Sequence, residues 1–262
     1  MGKPKGPPPV AQCKLCPTVG PLTWSHIVSR WTYRRIVQTA DPGQPVPAQV
    51  RDGVAMLSSD QLADFLLCPA CEDLIRPWET YVSTISRDEA GFPALTTALA
   101  HLIPGGVGTV TRGADISTLD VDAIAKFGVS VLWRAAACPR LFPKLRLGPC
   151  YDAFAQYLRG LAPFPSQACL LLHLIDRDDV PQLSQLIAPP SVSKHRDHHC
   201  YAFLIFGMSF EFHVGGRDLS AYEFACLPRT GRALVVDGHR QLRGIAQQAF
   251  GAEAKGALAE RR

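Results

Sequence analysis

Apolar residues recur along the chain at two different intervals, which predict amphipathic helices in some segments and strands in others. VSRWTYRRIVQT (28–39) and LDVDAIAKFGVSVLWRAAA (119–137) carry apolar residues every three or four positions, the spacing of one helix face. Ser117 or Asp120 precedes the second segment, and either side chain is suited to cap its helix. PCYDAFAQYLRGLAPFP (149–165) predicts a further helix.

Other segments are short, apolar and bounded by turn residues, which is typical of strands. Gly207 interrupts the longest of them and predicts a bulge or a hairpin turn. The predicted strands are GPLTWSHI (20–27), DQLADFLLC (60–68), ACLLLHLID (168–176), CYAFLIFGMSFEFHV (200–214), EFACL (223–227) and RALVVDG (232–238).

These patterns predict an α+β protein in which a small module precedes a helical and antiparallel β domain. The Pro-, Gly- and Lys-rich start of the chain favours flexibility, and the Ala-rich, basic end favours a helix or a tail. The predicted divisions are a flexible N-terminus (1–10), the small module (11–87), a mainly helical region (88–163), a mainly β region (164–240) and a basic helix or tail (241–262).

Composition narrows the class of protein. Apolar residues make up 47% of the 262 residues, which is enough for a packed core and excludes a disordered chain. No apolar run reaches the roughly 18 residues of a membrane helix, and no hydrophobic stretch follows the N-terminal lysines as in a signal peptide. Nine cysteines, an odd number, argue against a secreted disulfide framework, so we expect a cytoplasmic protein without a membrane partner.

Two Cys-x-x-Cys pairs carry the most specific chemical signal. Cys13 and Cys16 form the first pair, and Cys68 and Cys71 form the second. Each spacing is that of a knuckle turn that directs both sulfurs at one ion, and two knuckles complete a tetrahedral Zn²⁺ site. All four positions are then filled by protein, so the predicted zinc is structural. The segment EDLIRPWETYVSTI (72–85) predicts a helix that begins at the second knuckle despite its internal proline.

At these residues the sequence resembles the HNH (ββα-metal) endonuclease family, in the variant with two zinc knuckles. The matching motifs are CKLC, SHI and LLCPACED, and the resemblance covers roughly residues 13–87. An aromatic- and Arg-rich helix after SHI, and an RDG turn, are also similar to a group of bacterial HNH-like proteins. The resemblance implies a zinc-stabilised, treble-clef-like ββα module, cleavage of nucleic-acid phosphodiester bonds and a role in bacterial antiphage defence.

The resemblance also implies roles for individual residues. His26 matches the general base that activates water, and Glu72 stands where the family places a metal-binding His or Asn. Ser25 replaces the family's aspartate, a ligand of the catalytic Mg²⁺ or Mn²⁺, and a neutral hydroxyl is the weaker ligand. The gap between His26 and Cys68 is longer than in the family and implies an insertion around residues 37–60.

Basic residues near this motif favour nucleic acid as the partner, with DNA expected before RNA. The net charge is +4 and the pI is near 8.6, which permits such a partner without requiring it. The residues expected to contact phosphates are Arg30, Trp31, Arg34, Arg35 and Arg51. The three arginines of the helix could instead form an ordinary solvated face, and Trp133 and Arg134 are interpreted as a core aromatic and an ion-pair partner.

Two alternatives to a nuclease stay open at this point. One is a non-catalytic protein whose zinc module binds nucleic acid or a partner protein, with Ser25 marking lost metal chemistry. The other is a structural module that braces the larger domain. A homo-oligomer is also compatible with the sequence. The histidines of residues 195–199, followed by Cys200, resemble a metal site, but a polar loop before a strand is the simpler interpretation.

Overall fold

The structure is a computed structural model with an α+β architecture. It describes residues 4, 6–39, 48–51, 54–57, 61–86, 102–103, 110–175, 187–195, 197–216, 218–236 and 253–254. Most of the predicted basic tail (241–262), the first residues of the predicted flexible N-terminus and the Arg51 side chain lie outside this description.

Short antiparallel pairs of strands build the first part of the chain. β1 (Val10–Gln12) pairs with β2 (Val19–Pro21), which places the first knuckle in the connection between them. β3 (Thr23–His26) pairs with β6 (Ala63–Leu67), which places the second knuckle directly after β6. The elements between β3 and β6 are the helix α1 (Arg30–Thr39) and the hairpin of β4 (Ala48–Arg51) and β5 (Val54–Leu57).

Helix α2 (Pro69–Ile85) begins at the second knuckle, as predicted. Cys68 is extended and Pro69 occupies the first turn, where a missing N–H costs no hydrogen bond. Pro77 lies within the helix without ending it. Buried Cys71, Ile75 and Val82 form one face of α2, which packs on β3 and β6. The same helix also packs against α3 (Val121–Ala136) and thereby connects the cysteine-rich part to the larger core.

Within the described residues, seven strands form one sheet in the order β10-β11-β12-β9-β13-β8-β7. Neighbouring strands are antiparallel except β9 and β13, which are parallel. The strands are β7 (Leu102–Ile103), β8 (Val110–Asp115), β9 (Ala168–Ile175), β10 (Ile187–Lys194), β11 (His199–Ile205), β12 (Met208–Val214) and β13 (Arg232–Val236). A further strand, β14 (Glu253–Ala254), pairs in parallel with β5.

The two faces of this sheet differ in character. One face presents Phe203, Phe210 and Phe212 to α3 and to α4 (Cys150–Leu158), and forms the main core. Gly128 of α3 permits this close packing, because a Cβ at that position would lie 2.6 Å from the Phe210 ring. The opposite face carries a smaller apolar cluster of strand residues and residues around α5 (Ser220–Glu223) and α6 (Leu227–Thr230).

Several local predictions can be compared directly with the structure. Asp120 caps α3, since its carboxylate accepts a hydrogen bond from the Ala123 amide. Gly207 lies in the two-residue hairpin turn between β11 and β12, with φ of +83°. The prediction of a strand at EFACL (223–227) is wrong, because this segment joins α5 to α6 by tight turns. The apolar Ala225 of this segment is buried in the smaller cluster, although it does not belong to a strand.

Candidate metal centre and adjoining polar site

Four cysteines from the two knuckles converge on one point. The sulfur atoms of Cys13, Cys16, Cys68 and Cys71 all lie within 4.8 Å of one another. Three of these side chains are buried and Cys16 is partly exposed. Four thiolate sulfurs in a compact group are the ligand set of a structural zinc ion. The residues therefore fit Zn²⁺, as the spacing predicts.

Backbone hydrogen bonds hold the knuckles in place. The Cys13 amide donates to Thr18, closing the first turn, and the Lys14 amide donates to Leu66 at the end of β6. At the second knuckle the Cys71 and Glu72 amides both donate to the Cys68 carbonyl, which forms the first turn of α2. The Cys68 amide also donates to the Cys13 sulfur at 3.3 Å, which ties the two knuckles together.

The surroundings shift the pKa values of Cys16, Cys68 and Cys71. Burial opposes ionisation of Cys16, but hydrogen bonds with Thr18 and neighbouring cysteines lower its pKa to about 6. Burial raises the pKa of Cys68 and of Cys71, and their neighbouring sulfurs raise the pKa of Cys71 further. A cation at the centre of the cluster would stabilise all four thiolates together.

A hydroxyl and a carboxylate meet beside the cysteine cluster. Ser25 of β3 is fully buried, and its hydroxyl donates to a carboxylate oxygen of Glu72 in the first turn of α2. Glu72 follows Cys71 directly, so the zinc knuckle determines where its carboxylate lies. The structure thus brings together the two residues that the sequence resemblance assigns to the catalytic ion. Both offer oxygen atoms, which is the ligand type that Mg²⁺ requires.

His26 is the next residue of β3 and is partly buried. Its Nε2 atom lies 2.6 Å from the Gln61 Oε1 atom, which orients the ring. Burial lowers the pKa of His26; the Gln61 hydrogen bond opposes this effect, and the positive charges of Arg30 and Arg134 add to it. The imidazole is therefore neutral at pH 7. In the tautomer that donates Nε2–H to Gln61, the Nδ1 atom is free of hydrogen and can accept a proton.

A buried ion pair lies behind this site. Arg134 of α3 is only 1% exposed and donates to Glu79 of α2 at 2.7 Å. The interpretation of Arg134 as an ion-pair partner is confirmed. The sequence did not indicate Gln61 as part of the site, since this residue only precedes a strand.

Four of the five residues expected to contact nucleic acid divide into two groups. Arg30 and Arg34 are exposed on α1. Trp31 is partly buried with its ring 5.7 Å from that of Phe206, and Arg35 bonds the Ser86 carbonyl and lies over the same ring. Trp31 and Arg35 are thus engaged in packing, and Arg51 lies in β4.

Comparisons with protein families, with curated proteins and with solved structures found no match. Among the residues that the structure describes, no helix is both long and apolar enough to span a membrane. Besides the four cysteines, one more group of three metal-ligating side chains lies in the described part, namely Cys200, Glu211 and His213.

Proposed function

We propose that the protein is a metal-dependent endonuclease that hydrolyses nucleic-acid phosphodiester bonds. The observation that carries the proposal is the position of His26 next to the Ser25–Glu72 pair, beside a four-cysteine cluster. The order of elements, two antiparallel strands followed by a helix at the second knuckle, also supports the resemblance to HNH nucleases. A role in bacterial defence, and DNA as the substrate, follow from that resemblance alone.

In this proposal each residue has one task. Glu72 and Ser25 would hold a divalent cation, which when bound supplies positive charge at the scissile phosphate. His26 accepts the proton of the attacking water, because its lowered pKa keeps the ring neutral at pH 7. Gln61 keeps the ring in one orientation through its hydrogen bond to Nε2. The cysteine cluster fixes the start of α2 and, with it, the position of Glu72.

The test is a plasmid-nicking assay with Mg²⁺ and then Mn²⁺. It compares the zinc-loaded wild-type protein with His26→Ala, and a positioned general base predicts a rate loss of about 10²–10⁴-fold in the variant. His199→Ala is the matched control, because His199 is an exposed histidine of β11 outside this site. The zinc content of all three proteins should be equal.

The possible outcomes separate the proposal from its main competitor. Cleavage by the wild type and by His199→Ala, but not by His26→Ala, supports the nuclease and assigns its base. Cleavage that survives in His26→Ala, or no cleavage with either ion, contradicts the proposal. If neither ion supports cleavage, a gel shift on the same samples shows whether the protein still binds nucleic acid without cutting it. The observation that favours this second candidate is the buried Ser25 hydroxyl, which stands in place of a carboxylate.

A further inference from the structure

A second group of metal-ligating side chains lies on the sheet face opposite the main core. Cys200 of β11 and His213 of β12 are directly opposite in the strand register, so their side chains share a face. Glu211 lies two residues before His213 and therefore on the same face. One ligand atom from each of these three side chains lies within 4.8 Å of the others. Cys200 and His213 are buried, and Glu211 is partly buried.

A chain of hydrogen-bonded side chains leads into this group from the β10–β11 turn. The Asp197 carboxylate lies 2.9 Å from His198 Nδ1, and His198 Nε2 lies 2.9 Å from His213 Nδ1. His213 Nε2 then lies 2.7 Å from Glu211 Oε1. This series of side chains therefore contains three contacts, and it begins at the Asp197 carboxylate and ends at the Glu211 carboxylate.

With both histidines neutral, this series of hydrogen-bonded side chains lacks one proton, and therefore one positive charge. Each of the three contacts needs a proton between its two atoms, but two neutral imidazoles carry only two N–H groups. If His198 donates to Asp197, and His213 donates to His198, then the lone pair of His213 Nε2 faces the Glu211 carboxylate. Two acceptors at 2.7 Å repel each other unless an additional proton or a metal cation lies between them.

Two further observations on the same face favour a metal cation. The Cys200 thiol adds a sulfur donor to the nitrogen and oxygen donors. His173 of β9 is buried, and its Nδ1 atom has no hydrogen-bond partner among the described residues, although it lies 3.9 Å from Glu211 Oε2. A single added proton between His213 and Glu211 would satisfy that contact alone and would leave His173 Nδ1 without a partner among the described residues.

We propose that Cys200, Glu211 and His213 form a second metal site, which binds a divalent ion of the zinc class. A donor set of sulfur, nitrogen and oxygen suits Zn²⁺, whereas Mg²⁺ and Ca²⁺ select oxygen ligands alone. His198 and Asp197 act as positioning residues, because they hold His213 in the tautomer that presents Nε2 to the ion. The Tyr222 ring stacks on His213, with centroids 3.6 Å apart, and so helps to hold the imidazole in place.

The experiment counts metal in the full-length protein. After equilibration with Zn²⁺ and removal of free ion, the zinc content of the wild type should be two equivalents per chain. His213→Asn combined with Glu211→Gln should reduce the content to one equivalent, and Cys71→Ser should also remove one. His199→Asn is the matched control, because this exposed histidine of β11 points to the other face, and it should leave two equivalents.

Replacement of zinc by Co²⁺ gives a second measurement that identifies the sulfur ligand. The intensity of the sulfur-to-cobalt charge-transfer band should be lower than in the wild type by one thiolate contribution in Cys200→Ser, and by several in Cys71→Ser. One equivalent of metal in the wild type, or two in the His213→Asn/Glu211→Gln variant, overturns the proposal and assigns the extra charge to a proton. If the double variant lost both equivalents by unfolding, an unchanged cobalt spectrum in Cys200→Ser would overturn it as well.

Discussion

At the scale of single residues, the Arg134 guanidinium is a buried charge whose desolvation must be offset by a partner. It is almost completely buried within α3, where a charge is tolerated only with a partner. Glu79 supplies that partner at 2.7 Å, and the Ser130 carbonyl accepts a second hydrogen bond from Nε. Because Glu79 belongs to α2, this one contact also holds the helix that carries Glu72 against the main core.

Glu79→Ala should therefore destabilise the protein strongly. Removal of one member of a buried ion pair leaves the other charge unpaired, which typically costs about 3–5 kcal/mol in free energy of unfolding. Urea denaturation of the zinc-saturated protein measures this change. Glu79→Gln keeps an oxygen acceptor for Arg134 and should cost less. A loss below about 1 kcal/mol in the alanine variant would show that Arg134 finds another partner.

At the scale of elements, the edge of β6 is connected to the segment that follows α3. Asp64 of β6 accepts a hydrogen bond from Arg140 at 3.1 Å and another from the Cys138 thiol. Burial raises the pKa of Asp64, but the contacts with Arg140 and Cys138 outweigh this and lower it below the ordinary value of 3.8. The carboxylate form is therefore favoured in the folded state.

This shift gives a stability difference that depends on pH. A lowered carboxyl pKa stabilises the fold above the ordinary pKa, and the contribution is lost as pH falls through the folded value. Asp64→Asn should therefore lower the free energy of unfolding at pH 7 by about 0.5–1 kcal/mol, since Arg140 is about half exposed. The difference should shrink as pH falls from about 3.8 through the lower folded pKa, in denaturation curves taken at several pH values.

Asp73→Asn provides the control for this comparison. Asp73 pairs with Arg76 on α2, but both side chains are more than half exposed, so the variant should change stability little at any pH. An Asp64→Asn effect that is the same at pH 3 and pH 7 would contradict the assignment to the carboxylate charge.

The elements also show what periodicity can and cannot predict. The helices at 30–39, 69–85, 121–136 and 150–158 follow from local apolar spacing, although α3 is buried on nearly all of its sides. β8 was missed, since VTRGAD has no alternation and its pairing with β13 depends on the sheet. Of the second metal-ligating group, the sequence indicated Cys200 but not Glu211 or His213, for a similar reason. Cys200 and His213 are thirteen positions apart in the chain and become neighbours only through the hairpin register.

At the scale of the whole molecule, α1 separates a packed face from an exposed basic one. Trp31 and Arg35 contact Phe206 at the tip of the β11–β12 hairpin, which anchors the helix to the large sheet. Arg30 and Arg34, one helical turn apart, remain exposed on the same helix. The basic face therefore lies close in sequence to His26 and is fixed to the rest of the protein by its packed face.

If this face binds the phosphates of a nucleic acid, its contribution should appear in the salt dependence of binding. Each lost phosphate contact reduces the slope of log K against log salt by about 0.9, so Arg30→Gln with Arg34→Gln should reduce it by about 2. Filter binding or fluorescence anisotropy at several salt concentrations measures the slope. Lys144→Gln with Arg159→Gln removes the same charge at exposed positions elsewhere and should leave the slope unchanged. If the Arg30→Gln/Arg34→Gln variant has the same slope as the wild type, α1 does not contact phosphate. If both double variants reduce the slope equally, binding responds to net charge alone.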